Sequence, residues 1–238
     1  MVVPAKQVSF SFAARTIDFF GGQSISEDSA AIFELVKNSR DANSKTVVIT
    51  FNNIASDLNS EIIIYDDGDG MSEDDIMKKW MVLGTNNRAI NNKTKRGKEV
   101  WGEKGIGRMA CQKLSNETNL ISVKNKERVV MDFDWKKFEN TTDSVDQILF
   151  DLNSKSTDEE NGVTLTLTNL KSKWTSKRIT ELKMELSRLV SKEILLEDTQ
   201  IKIKSGDEEG EIIGKTYSKL LQSITDHSPF KLNAIFSN

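Results

Sequence analysis

Glu34-Leu35-Val36-Lys37-Asn38-Ser39-Arg40-Asp41-Ala42 is the stretch from which the reading of this 238-residue chain grows. The run from Ala30 to Ala42 has neither Gly nor Pro, and Ile32, Phe33, Leu35 and Val36 supply apolar anchors, so it predicts a helix. Ser26 is the expected N-cap, and Glu27 and Asp28 suit the positive end of the helix dipole. On that helix Glu34 and Asn38 stack one turn apart, and Asp41 continues their face. A carboxylate beside an amide oxygen suits hydrolysis of a magnesium-bound phosphate: the amide oxygen ligates Mg²⁺ and the carboxylate takes a proton from the attacking water. Taken alone, the same residues also describe an ordinary solvated helix face.

Two later segments carry related chemistry. Glu61-Ile-Ile-Ile-Tyr65 reads as a buried strand, and it runs into Asp66-Asp67-Gly68-Asp69-Gly70-Met71. The two glycines allow positive φ and a close approach of backbone to a ligand. An Asp at a strand end can accept a hydrogen bond from an exocyclic amine such as adenine N6, and losing that bond in a buried pocket costs about 1–3 kcal/mol. A plain polar turn fits the segment too. A calcium loop does not, because Met71 and Lys78 stand where oxygen ligands are needed.

The third segment is Gly102-Glu103-Lys104-Gly105-Ile106-Gly107, followed by Arg108-Met-Ala-Cys-Gln-Lys-Leu114, a helix start. A glycine-rich loop feeding a helix aims backbone N–H groups at an anion, and Lys104 and Arg108 add positive charge. The spacing is neither that of a dinucleotide-binding turn nor that of a Walker loop, where Glu103 would have to be Lys. A phosphate loop of another kind and a flexible turn both remain open from these residues alone.

Together and in this order, the three segments resemble the GHKL superfamily: gyrase B subunits, the large heat-shock chaperone, sensor histidine kinases and MutL mismatch-repair proteins. The resemblance covers roughly residues 8–205. Phe10-Ser-Phe-Ala-Ala-Arg-Thr-Ile, Gly102-Glu-Lys-Gly-Ile-Gly-Arg-Met-Ala and Asn169-Leu-Lys-Ser-Lys-Trp174-Thr are most similar to MORC-type bacterial ATPases, several of which act in DNA-related or defence systems. The resemblance implies a two-layer α/β sandwich, the Bergerat fold, with a mixed sheet and helices on one face. It implies ATP and Mg²⁺ as cofactors, with Glu34 as general base and Asn38 as the Mg²⁺ ligand. Asp41 and Ala42 would line the pocket, Asp66 would read adenine, and Gly68, Gly70 and Met71 would complete the adenine site. Gly102, Lys104, Gly105, Ile106, Gly107 and Arg108 would hold phosphates. Gly84-Thr85-Asn86 through Trp101 would be the mobile lid, with Thr85 at the nucleotide. Relatives usually carry a Gly-Thr pair on a late strand; here the strand reads Gly162-Val163-Thr164-Leu-Thr166, which leaves Thr164, a water or Thr166 for the missing contact, and Thr166 is taken as the site residue.

The implied activity is ATP hydrolysis coupled to lid closure and an ATP-dependent homodimer, slow in an isolated domain, in a DNA-related or antiviral defence protein. Val8 to Phe12 is the expected strap to a partner subunit. One alternative is a nucleotide-gated module that clamps DNA or a protein with negligible turnover. Another is a sensor-kinase catalytic domain, although the only histidine, His227, lies near the C-terminus.

Composition bounds the rest. A chain with 37% hydrophobic residues can bury one substantial α/β core. A net charge of −3 gives no bulk attraction for nucleic acid, and the basic stretches Lys93 to Lys98 and Lys171 to Arg178 read as solvated faces. One cysteine, Cys111, excludes an internal disulfide and is expected to pack in the helix after the phosphate loop. Apolar runs of about four residues and no leader pattern predict a cytoplasmic protein with no membrane partner.

The expected map is a helix over 10–20, the helix over 30–42, strands over 45–51 and 61–65, and a helix from Ser72 to about Met81. A hairpin follows over 119–125 and 127–135, then strands over 147–152 and 163–170 around a loop at 153–162. A helix over 175–192, a strand over 200–204 and a helix over 214–224 complete it. Residues 1–205 are the expected ATP-binding domain, and 206–238 an extension beginning a further domain.

Overall fold

Alternating side chains give the sheet its two faces. In β1 (Thr46–Asn52), Val47, Ile49 and Phe51 are fully buried while the residues between them stay partly exposed. In β2 (Glu61–Asp66), Ile62, Ile64 and Asp66 are buried. A period of two with one apolar face marks strands covered on one side only. The structure is a computed structural model, and it describes residues 9, 11–23, 25–54, 59–83, 107–139, 141–192, 199–206 and 210–213.

Six further strands complete the sheet: β3 (Ser115–Lys124), β4 (Glu127–Asp134), β5 (Leu152–Ser156), β6 (Gly162–Leu170), β7 (Gln200–Ser205) and β8 (Glu211–Ile212). The spatial order is β5-β4-β3-β6-β2-β1-β7-β8. Every neighbouring pair is antiparallel except β1 and β7, so the sheet is mixed. The helices are α1 (Thr16–Asp18), α2 (Asp28–Asp41), α3 (Glu73–Asp75), α4 (Ala110–Leu114) and α5 (Ser176–Lys192). Wider π-turns extend α1 through Phe19–Gln23 and α3 through Ile76–Trp80. Ile32, Leu35 and Val36 of α2, Cys111 and Leu114 of α4, and Ile179, Leu182 and Leu186 of α5 join the buried strand residues in one core. The result is the α/β sandwich with helices on one face. Among the described residues, no helix is long and apolar enough to cross a membrane.

Local chemistry fixes several of these elements. Asn125 and Lys126 both take positive φ (52° and 67°), the geometry of the tight turn that joins β3 to β4. Ser72 and Asp75 form a reciprocal capping box at the start of α3. Trp174 packs on Phe51 with ring centroids 4.8 Å apart, and the Arg178 guanidinium lies 4.5 Å over the other ring system of that pair, Trp174. Arg178 Nη2 donates to Asp28 Oδ2 at 2.6 Å, tying the first turn of α5 to the first turn of α2.

Four sequence expectations need correction. Helix α2 starts at Asp28 with Glu27 in the extended N-cap position and no side-chain cap, so Ser26 does not cap it. Residues 11–15 are not helical: Val145 N–H donates to Phe12 O, and Ala13 bridges Ser144. The strand expected over 147–152 is a 3₁₀ turn (Val145–Gln147) and irregular chain, and the strand lies at Leu152–Ser156 instead. Ile148 and Phe150 are apolar because they pack on the core, with Phe150 5.0 Å from Phe133, whereas β5 is a polar edge strand with no alternation to read. Finally, residues past 205 still belong to the sheet: Glu211–Ile212 pairs with β7, and Ile213 is buried in the core. The helix expected over 214–224 lies outside the described residues.

Candidate nucleotide site

The C-terminal end of α2 meets the loop after β2. Ala42 closes the helix, and Asn43 follows at φ 64°, the left-handed position that ends many helices. Ala42 O accepts a hydrogen bond from Asp69 N–H at 2.8 Å, and Asn43 Nδ2 donates to Asp69 Oδ2 at 2.9 Å. Gly68 sits so close that a Cβ there would lie 2.8 Å from both Ala42 O and Asp66 Oδ1. At Gly70, with φ +65°, a Cβ would lie 1.9 Å from Val123 O. Ser122 Oγ receives Met71 N–H at 2.6 Å and donates to Met71 O at 3.0 Å, fastening the same loop to β3.

Asp66 is the centre of this arrangement. It is 6% exposed; its Oδ2 accepts from Ser39 Oγ at 2.8 Å and its Oδ1 from Gly68 N–H at 2.9 Å. Burial pushes its carboxyl up to about 6, and the Ser39 hydroxyl and the Gly68 and Val163 N–H groups only partly counter it. The neighbouring Asp67 goes the other way. Burial opposes its charge, but Thr46 and Lys45 N–H at 2.8 and 2.7 Å and the Ser44 hydroxyl at 3.1 Å outweigh it and hold its carboxyl below the usual range. Asp67 therefore serves the start of β1, and Asp66 keeps a perturbed carboxylate between α2 and the β2 loop.

The other end of the face points at the third segment. Gly107 lies against the Asn38 side chain, where a Cβ would come 3.0 Å from Nδ2 and 3.2 Å from Oδ1. Glu34 sits one turn back with its side chain 34% exposed, paired with Lys37 Nζ at 2.8 Å. The Asp41 side chain is 5% exposed and lies beside Arg40 Nη1 at 3.3 Å. The structure thus sets Glu34, Asn38, Asp41 and Ala42 along α2, Asp66, Gly68, Gly70 and Met71 at the β2 loop that meets its C-terminal end, and Gly107 against Asn38.

Two expected residues stand elsewhere. Arg108 Nη1 donates to Lys79 O and Val82 O, each at 2.8 Å, and to Trp80 O, so its guanidinium caps the C-terminal end of the helical run from Glu73. Thr166 pairs with Ile63 and Asn119, one position out of phase with Asp66, so it lies on the opposite face of the sheet, as does Thr164. The residue beside Asp66 is Val163. Thr85, Gly102, Lys104, Gly105 and Ile106, the 84–101 segment, Val8 and His227 lie outside the described residues.

Ser39 and Ser122 carry no role in the sequence reading. Ser39 was legible in principle: it falls four residues after Leu35 on the apolar stripe of α2, and a buried hydroxyl needs a partner. Ser122 gave no comparable signal, because its partner is backbone 51 residues away.

The profile of the family described as histidine kinase-, DNA gyrase B-, and HSP90-like ATPases matches residues 25–162, which span α2, the β2 loop and the third glycine segment. The chain belongs to this family. It is also similar to a protein of Herpetosiphon aurantiacus named "Putative type II restriction enzyme HgiDII", at 33% identity over 115 residues. That match covers 48% of this chain and 18% of the length of the relative.

Proposed function

We propose that this domain binds Mg²⁺-ATP between α2 and the β2 loop and hydrolyses it, in the manner of MORC-type ATPases. The observation that carries the reading is the single helix that presents Asn38 to Gly107 at one level and Ser39 and Ala42 to Asp66 and Gly68 at the next. Asp66 accepts the adenine amine, and Gly68, Gly70 and Met71 line the base. Asn38 ligates Mg²⁺, Asp41 and Ala42 complete the pocket, and Glu34 takes the proton of the attacking water. Lys104 and the amides of Gly102 to Gly107 hold the phosphates, and Thr85 with the 84–101 segment closes over them; closure is coupled to homodimerisation.

The donor set fits a nucleotide-borne metal. Among the described residues no cluster of three or more His, Cys, Asp or Glu side chains could hold an ion unaided. Mg²⁺ is commonly held by one or two protein oxygens together with substrate phosphates, and Asn38 offers one such oxygen.

The test separates binding from chemistry. Glu34→Ala is expected to keep ATP affinity and lose turnover by about 10²–10⁴-fold, as for removal of a general base. Turnover equal to the unmodified protein would contradict the assignment.

A second reading is supported by the likeness to a protein named as a restriction enzyme. In it the domain is the nucleotide-gated module of a larger DNA-acting or phage-defence protein, clamping DNA or a protein partner with little turnover. Phosphate release measured against nucleotide affinity distinguishes it: tight binding with negligible release favours the switch.

A further inference from the structure

Helix α2 carries one more charged residue on the stripe of Glu34, Asn38 and Asp41. Lys37 stands three residues after Glu34, so positions 34, 37, 38 and 41 lie along one side of the helix. The binding and hydrolysis proposed for the site assign this cation nothing. Lys37 Nζ donates to Glu34 Oε1 at 2.8 Å, and the same ammonium lies 5.7 Å from the centre of the Phe33 ring. Phe33 and Glu34 belong to the preceding turn, so the ammonium is held by an aromatic face and a carboxylate together.

Ion pairs three or four residues apart are ordinary on solvated helix surfaces, where they contribute little. In Lys78–Asp74 and Lys177–Glu181 every side chain is half exposed or more, and those pairs fit that description. Lys37 does not. Its side chain is 17% exposed, although lysine is among the residues least often withdrawn from water. An ammonium this far from solvent calls for a compensating charge, and Glu34 supplies it. The constraint is mutual. A glutamate side chain has several rotatable bonds, and bonding to an ammonium that itself rests on Phe33 removes much of that freedom.

We propose that Lys37 is a positioning residue for hydrolysis: it holds the Glu34 carboxylate through Oε1 and leaves Oε2 to take the proton of the attacking water. The inference rests on the reading of Glu34 as general base and extends it to the group that aims that base. In the step itself the water gives its proton to Oε2, its oxygen bonds to the γ-phosphorus, and the bridging oxygen leaves with ADP. Lys37 gives up no proton and touches neither water nor phosphate. A group misplaced by about 1 Å can lose about 10²-fold in rate, so the contact bears on turnover rather than on binding.

Lys37→Met keeps an unbranched stem on Phe33 and removes the charge. In Mg²⁺-ATP hydrolysis by the full chain it is expected to lower kcat by about 10–100-fold and to leave KM and ATP affinity unchanged. Lys37→Arg, which retains a cation beside Oε1, is expected to recover most of that loss. In single-turnover phosphate release, Lys37→Met added to Glu34→Ala is expected to cost nothing beyond Glu34→Ala alone, because the two residues act as a unit. The proposal is overturned by unchanged kcat in Lys37→Met, by no recovery in Lys37→Arg, or by a full further loss in the Glu34→Ala background. A raised KM with kcat kept would also overturn it, since Lys37 would then be a phosphate ligand. If Glu34→Ala turns over as fast as the unmodified protein, the general-base reading falls and this proposal with it. If Glu34→Ala is slow and Lys37→Met is not, this proposal alone falls.

Discussion

Asp66 meets two demands that conflict. It is buried where its charge is disfavoured, and the proposed site needs that charge to receive an amine. Its carboxyl titrates at 3.8 when unfolded and at about 6 when folded. Between those values the folded state binds more protons than the unfolded one, so stability falls as pH rises through the window and stays lowered above it. The difference is about 3 kcal/mol at neutral pH. Asp66→Asn is therefore expected to stabilise the nucleotide-free domain by about 1–3 kcal/mol in denaturant melts at pH 7, the gain vanishing near pH 4. The same variant is expected to lose ATP binding, because its amide Oδ1 would stay with Gly68 N–H and its NH₂ would face Ser39. ATP affinity of the unmodified protein is expected to fall as pH drops below about 6. Ser39→Ala removes a donor that favours the carboxylate, so the midpoint of that fall is expected to move to higher pH. A midpoint unmoved in Ser39→Ala would remove Ser39 from the account. Gly70 offers a contrast in backbone terms. Gly70→Ala forces a Cβ onto Val123 O at φ +65° and is expected to cost about 2 kcal/mol or more, whereas Gly206→Ala, at φ +61° in open space, is expected to cost about 1 kcal/mol. Equal thermal melts of the two variants would contradict the close packing at Gly70.

Among the elements, α2 is positioned at both ends. Its C-terminus is held by the β2 loop, and its N-terminus by Asp28 bonded to Arg178, which also rests on Trp174. Asp28 is buried while Arg178 is about one-third exposed, so solvent screens part of the pair. Arg178→Ala is expected to destabilise the domain by about 1–2 kcal/mol, with a double-mutant cycle against Asp28→Asn recovering most of the coupling. Additive losses in that cycle would show that α5 is anchored by its apolar stripe alone. The elements also show where a sequence can be read. Strands β1, β2 and β6 and helices α2 and α5 were legible because each buries one face against the core and alternates accordingly. Strand β5 was not, because an edge strand of Asn153, Ser154, Lys155 and Ser156 buries almost nothing, while Ile148 and Phe150 mimic strand alternation by packing irregular chain on Phe133 and Phe138.

At the scale of the molecule, one eight-stranded mixed sheet brings together segments that are remote in the chain. The central β2–β6 pair carries Asp66, and β3 supplies the Ser122 and Val123 groups that hold the loop beyond it. What the sequence made legible was placement: Glu34 and Asn38 one turn apart on α2, and Asp66 at the end of β2. It was illegible where the reason lay in strand parity, as with Thr166, which a one-residue offset sends to the other face. The carbonyls that Arg108 meets, from Lys79 to Val82, were illegible for a related reason, since they are far away in sequence. The account rests on Asp66 and Asn38 addressing the two ends of one ligand. Titration calorimetry of the full chain with ATP, with and without Mg²⁺, tests it most directly. Saturable heat that strengthens with Mg²⁺ and disappears in Asp66→Asn is the result predicted. A folded protein that gives no heat with ATP, or the same heat after Asp66→Asn, would contradict it.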